Sequence, residues 1–103
     1  MMNVNDVFIS EEGVKDLTDG TAFYDGQENG VGEYFWDCLI SDIESLILYA
    51  GVHRKKFGLY QMYSKRFPYT VYYEIIETSA YVVAVLPMRR NPAWVVQQIK
   101  KRH

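Results

Sequence analysis

Cysteine is almost missing from this chain: Cys38 is the single one among 103 residues. A lone thiol excludes an internal disulfide, and such usage suits a reducing compartment. There are only two histidines, His53 and His103, and no pair of soft ligands stands at a metal-binding spacing. A structural zinc site would lack its four ligands, so neither a metal nor a cofactor is expected. Prolines number three. No apolar run approaches the roughly eighteen residues of a membrane span. The start, MMNVNDVF, has neither the basic opening nor the apolar run of a secretory signal. The expectation is one soluble, cytoplasmic domain over residues 1–103, with no membrane association.

What is present is a core in prospect. Hydrophobic residues make up 49% of the chain and nine residues are tyrosine, so disorder is not expected. The net charge of −2 conceals a division. Residues 1–52 hold eleven Asp and Glu against Lys15, a balance of −10. Residues 53–103 hold ten Lys and Arg against Glu74 and Glu77, a balance of +8. Such asymmetry points to an anionic partner for the second half or to attraction between the halves.

Hydrophobic spacing gives the order of elements. Val4 to Ile9 forms a short strand, after which Ser10 offers an N-cap oxygen and Glu11 and Glu12 place negative charge in a first helical turn. Val14, Leu17, Thr21 and Tyr24 recur at helical steps, with Gly13 and Gly20 weakening the helix. The segment Asp25 to Gly30 breaks it. A second helix is expected from Val31 to Ala50, with Phe35, Leu39, Ile43, Leu46 and Ile47 as its buried stripe and Glu33, Asp37, Asp42 and Glu44 largely outside it. Gly51 stops it. From Phe57 the period becomes two, giving strands over 59–66, 69–77 and 81–88 in an antiparallel meander. Asn91-Pro92 then reads as an N-cap with proline at the first helical position, opening a last helix that buries Val95, Val96 and Ile99 and ends in Lys100-Lys101-Arg102. The order β-αα-βββ-α is an α+β fold, a small antiparallel sheet against a helical hairpin and a C-terminal helix.

Several chemical motifs reduce to structure. Cys38 lies beside the buried stripe and reads as a core thiol. His53, in a basic loop, reads as solvated, and His103 as terminal. The run Gly26 to Gly32 follows a helix, precedes no lysine and is flanked by acids, so it reads as a hairpin turn rather than a phosphate loop. The second half is richer. Lys65-Arg66 precede Phe67-Pro68, and Arg89-Arg90 follow the last strand, so a meander brings both pairs to one sheet end, with Tyr60, Tyr63, Tyr69, Tyr72 and Trp94 as nearby rings. Cations among aromatic rings suit phosphate, bases or an acidic protein partner. The alternative is packed tyrosines and solvated rim charges.

A pattern running nearly end to end carries a family resemblance. It comprises Val7 to Leu17, Phe23-Tyr24, Gly32-Glu33-Tyr34-Phe35, Arg66-Phe67-Pro68-Tyr69-Thr70-Val71-Tyr72-Tyr73, and Val83-Ala84-Val85 leading into Arg89-Arg90-Asn91-Pro92-Ala93-Trp94. In these stretches the chain resembles the RelE/ParE toxins of bacterial toxin–antitoxin modules, in particular the ParE-like, plasmid-stabilisation branch. RelE-type members are ribosome-dependent mRNA interferases. Thr70 falls near the position of their central-strand arginine and Val95 near that of their C-terminal aromatic residue, while Arg89 is retained. The helical hairpin and the Phe-Pro-Tyr stretch are similar to ParE-type members, although many of those carry an arginine near Tyr60 or Gln61.

The resemblance implies a non-enzymatic toxin that binds and inhibits DNA gyrase and is neutralised by a cognate antitoxin. Its contact set would be Arg66, Arg89, Arg90 and Trp94, with Lys65 auxiliary and no catalytic residue. An mRNA interferase acting on the ribosome, and a non-toxic partner-binding homologue, are the open alternatives. Homodimers occur in the family.

Overall fold

The computed structural model describes residues 4–102. Strand β1 (Asp6–Ile9) leads into helix α1 (Glu11–Gln27), which pairs with α2 (Val31–Glu44) as a hairpin and is followed by the single turn α3 (Leu46–Tyr49). Strands β2 (Arg54–Lys56), β3 (Leu59–Tyr63), β4 (Tyr69–Ile76) and β5 (Ser79–Pro87) then run to helix α4 (Pro92–Arg102). The sheet order is β1-β5-β4-β3-β2, with β1 parallel to β5 and every other pair antiparallel. The α+β class and the order of hairpin, strands and final helix are as expected.

Three features go beyond the expected meander. Basic β2 is a fourth late strand, closed onto β3 by Phe57 and Gly58, both at positive φ (59° and 78°). Two such residues in succession make the hairpin turn whose twist matches its strands. The opening strand adds in parallel to β5, so the sheet is mixed. The expected helix over 31–50 is interrupted at Ser45, whose hydroxyl donates back to the Asp42 carbonyl at 2.5 Å and competes with the helical ladder.

Alternation along the strands gives the sheet two apolar faces. Tyr69, Val71 and Tyr73 on β4 and Val82 and Val85 on β5 pack with Leu17, Phe35, Leu39 and Ile43 of the hairpin. Tyr72, Val83 and Leu86 lie on the opposite face with Leu59 and with Ile99 of α4. Fully burying each aliphatic side chain stabilises the fold by about 1.5–3 kcal/mol, which makes the hairpin face the dominant core.

The helical stripes shift by a residue or two from the expected ones. Val14 and Ile47 are exposed, whereas Trp36 and Ile40 pack against the core. Asp42, expected outside the stripe, is buried. Its carboxylate accepts from the Ser64 hydroxyl at 2.7 Å and from the Lys65 N–H at 3.3 Å. Gly20 is a packing residue rather than a weak point: a Cβ there would lie 2.5 Å from the Phe35 ring, so the missing side chain sets how closely the two helices approach.

Candidate functional site

The end of β5 loses its outer neighbour partway along. Pairing with β1 stops at Ile9 opposite Val82, and the Ser10 N–H makes a last bond to the Val82 carbonyl at 2.9 Å. Beyond that point side chains satisfy the strand edge. The Ser10 hydroxyl donates to the Val83 carbonyl at 3.2 Å, and the Val85 N–H donates to the Asp16 carboxylate at 2.9 Å. Arg102, from the last turn of α4, grips Asp16 with both guanidinium nitrogens, one of them at 2.9 Å, and reaches Gln98 at 3.2 Å. With side-chain exposures of 11% and 9%, this pair fastens α4 to α1 across the edge of β5. Burial without solvent screening makes such a forked pair costly to break.

Between α1 and α4, below that clamp, lies a cleft of about 360 Å³. Its floor is Val85, Leu86 and Pro87, and Tyr69 closes its inner end. Arg89 and Arg90 leave the end of β5 in opposite directions. The Arg89 guanidinium lies 4.4 Å above the Phe23 ring of α1, and that of Arg90 lies 4.5 Å above the Trp94 ring of α4. The turn that splays them is set by the Arg90 N–H bonding the Pro87 carbonyl at 3.3 Å. Trp94 is placed by the Asn91 cap, whose side-chain oxygen accepts from the Ala93 N–H at 2.7 Å. Burial pushes the Tyr69 hydroxyl above its ordinary range, with Tyr24 adding to the effect and Arg89 opposing it through its charge and a hydrogen bond, so this phenol stays neutral and its oxygen accepts from the Arg89 guanidinium.

Three of the five expected contact residues, Arg89, Arg90 and Trp94, therefore share one cleft. Lys65 and Arg66 sit in the β3–β4 turn and line a separate depression against α2, with Tyr34, Asp37 and Cys38. Both turns stand at the same sheet end, because Tyr69 opposes Pro87 and the Met88 N–H bonds the Pro68 carbonyl at 2.8 Å. Pro68 lies in the turn and interrupts no strand. Phe67 anchors that turn in an aromatic cluster, 4.8 Å from Tyr24 and 5.1 Å from Phe35 by ring centroids.

The rings named from the sequence divide between the two faces. Tyr60 stacks on Tyr73 at 5.1 Å on the hairpin face, whereas Tyr63 and Tyr72 lie on the other. Phe23 is the ring that the cation-and-aromatic argument missed; only its place on the outer face of α1 could have signalled it. Arg102 read as a dipole charge and is in fact half of a clamp. His53 is not solvated in a loop: its Nδ1 lies 2.5 Å from the hydroxyl of fully buried Tyr73, which also accepts from the Gly51 N–H at 3.0 Å. Burial lowers the His53 pKa below the ordinary 6.5. Cys38 is half-buried, and His103 lies outside the described residues.

The glycine-containing turn between α1 and α2 is the hairpin connection expected. The Asp25 carboxylate accepts from the Gly30 and Gly32 N–H groups at 3.0 and 3.3 Å, taking the donors a phosphate would need. Among the described residues no group of three or more His, Cys, Asp and Glu converges, and no helix is long and apolar enough to cross a membrane.

No protein-family model matches the chain, and no curated protein matches its sequence. Its fold is similar to that of a solved chain from the chromosomal ParDE TA system from P. aeruginosa. The TM-score is 0.74 at 11% identity, covering 86% of this chain and 98% of that one. The architecture implied by the sequence resemblance is thus the one found.

Proposed function

We propose that the chain is the toxin of a type II toxin–antitoxin system, ParE-like in action, which inhibits DNA gyrase by binding it and is neutralised by a cognate antitoxin. The observation that carries the reading is the likeness of fold, over 86% of this chain, to a chain of a ParDE system. Arg89, Arg90 and Trp94 form the principal contact surface, and Arg66 with Lys65 extends it along the same sheet end. Each stacked guanidinium gains about 0.5–1 kcal/mol from its ring at an exposed site; Arg89 also bonds the Tyr69 hydroxyl, which leaves its other in-plane N–H donors for a partner.

Binding rather than cleavage is favoured by the chemistry of the other sheet face. The cleft of about 170 Å³ beside α4 on that face has Lys56 and Arg90 as its cations and Thr70 in its lining. Its Tyr72 hydroxyl is pushed up chiefly by burial, and a phenol held protonated is a poor general base near neutral pH. His53 is on the hairpin side, bonded to Tyr73.

A gyrase supercoiling assay with the purified protein tests the proposal directly. Dose-dependent inhibition is expected, together with growth arrest on expression that the neighbouring upstream reading frame relieves. Toeprinting on translating ribosomes should show no new cleavage. Cleavage there with gyrase untouched would make the chain an mRNA interferase, and neither effect would make it an inert homologue.

A further inference from the structure

We propose that the exposed apolar patch formed by α3 and the turn after it is an interface between two copies of this chain. The copies are related by a two-fold axis that sets Glu44 of each against Lys55 of the other.

The patch arises where the second helix breaks. Ile47 belongs by spacing to the stripe that α2 buries, yet beyond the Ser45 interruption it is 39% exposed. Beside it Leu48, Tyr49 and Val52 are 61%, 50% and 55% exposed. Four apolar side chains within six residues make a contiguous surface, unlike the single exposed residues that any protein scatters over its surface.

That surface is fixed from beneath. Leu46 and Ala50 are fully buried, and the Ala50 N–H bonds the Leu46 carbonyl at 3.0 Å. The Gly51 N–H donates to the hydroxyl of buried Tyr73 at 3.0 Å, and the Val52 N–H donates to the Tyr49 carbonyl at 3.3 Å. A patch already held in one shape loses little conformational freedom on association.

Charge names the occupant. From Ser45 to Val52 there is no acidic or basic residue. Exposed Glu44 bounds this stretch on its N-terminal side. On its C-terminal side stands exposed Lys55, whose ammonium lies 4.8 Å from the Tyr60 ring on the hairpin face of the sheet. Among the described residues neither charge forms an ion pair within the chain. Acid, apolar centre and base in that order are complementary to themselves. A two-fold axis through the centre reverses the order in the second copy and brings each acid to a base.

The result has the anatomy of a protein interface, uncharged at its core and polar at its rim. An anionic lipid surface would attract Lys55 but would also meet Glu44 and Asp37 on the exposed side of α2. Four apolar side chains from each copy make a small contact, below about 1,200 Å² in total, and hence a reversible one.

Sedimentation velocity of the purified protein from about 5 to about 500 μM tests the interface. A monomer–dimer equilibrium is expected, with a dissociation constant on the order of 10–100 μM. Leu48→Ser with Val52→Ser should weaken it at least about tenfold. Glu44→Lys alone and Lys55→Glu alone each place like charges at both ends of the contact, and each should weaken it at least about fivefold. Mixed in equal amounts, these two single variants should associate with each other to within about threefold of the wild type, because opposite charges then face at both ends.

Circular dichroism confirms that each variant is folded. A wild type that stays monomeric at the highest concentration, or a dimer indifferent to the Ser variant, would overturn the proposal. So would a mixture of the two charge variants that associates no better than either alone. Co-sedimentation of a monomeric wild type with phosphatidylglycerol vesicles, lost in the Ser variant, would assign the patch to a lipid surface instead.

Discussion

Lys65 and Arg66 close the turn from β3 to β4, and Arg89 and Arg90 close the turn from β5 to α4. The Met88 N–H and the Pro68 carbonyl join the two turns at 2.8 Å. In the first, the backbone is fixed from inside, by the buried Asp42 carboxylate and by Phe67 among its rings, while both cations are exposed. In the second, the cations themselves are placed, each over a ring contributed by a different helix. A pair of adjacent basic residues thus becomes a shaped site only where neighbouring elements bring rings to it. The first turn holds its position through its backbone; the second holds its side chains.

The largest expected effect comes from opening the wall of the second turn. Arg102→Ala leaves the Asp16 carboxylate buried and unpaired, and should lower stability by about 3–5 kcal/mol in denaturant melts. It should also quench the distinction between the turns, because α4 carries Trp94 away from Arg90. Asp42→Ala strikes the first turn instead. Loss of its bonds to Ser64 and Lys65 should cost about 1–3 kcal/mol and should mobilise Lys65 and Arg66 without altering the Arg89–Phe23 contact. Hydrogen exchange at the two turns would read that separation.

Removing the charges alone sharpens the contrast. Arg89→Gln with Arg90→Gln should lower stability by about 1–2 kcal/mol, the worth of two exposed cation–ring contacts, while removing binding. Lys65→Gln with Arg66→Gln should shift stability by less than about 0.5 kcal/mol, as exposed substitutions do.

A pH dependence should arise away from both turns, at His53. Its pKa is lowered by burial in the fold, so the unfolded chain takes up the proton more readily. The full contribution is present above the unfolded value near 6.5 and is lost as the pH falls through it toward the lower folded value. His53→Gln should flatten this acid limb, whereas the four turn substitutions should leave it in place.

Much of this was legible in the sequence. Ser10, Asn91-Pro92 and Gly51 announced helix ends through local chemistry, and the two-residue period of 69–77 announced β4. The register that brings both basic turns to one end follows from short links between antiparallel strands. What was not legible depends on partners distant in the chain. β2 is three basic residues, Arg54-Lys55-Lys56, with no apolar alternation, and it is a strand only because the Phe57-Gly58 turn folds it onto β3. The parallel pairing of β1 with β5 joins the two ends of the fold, which no local period records. Asp42 is polar on an apolar stripe, and its burial makes sense only beside Ser64. Arg102 and Asp16, 86 residues apart, look like ordinary surface charges until α4 crosses the open edge of β5.

Gyrase supercoiling of relaxed plasmid, run in parallel with the wild type and the two double variants, tests the central claim most directly. The account predicts inhibition by the wild type, weaker but measurable inhibition by Lys65→Gln with Arg66→Gln, and none by Arg89→Gln with Arg90→Gln. Undiminished supercoiling at saturating wild-type protein, or equal inhibition by both double variants, would contradict it.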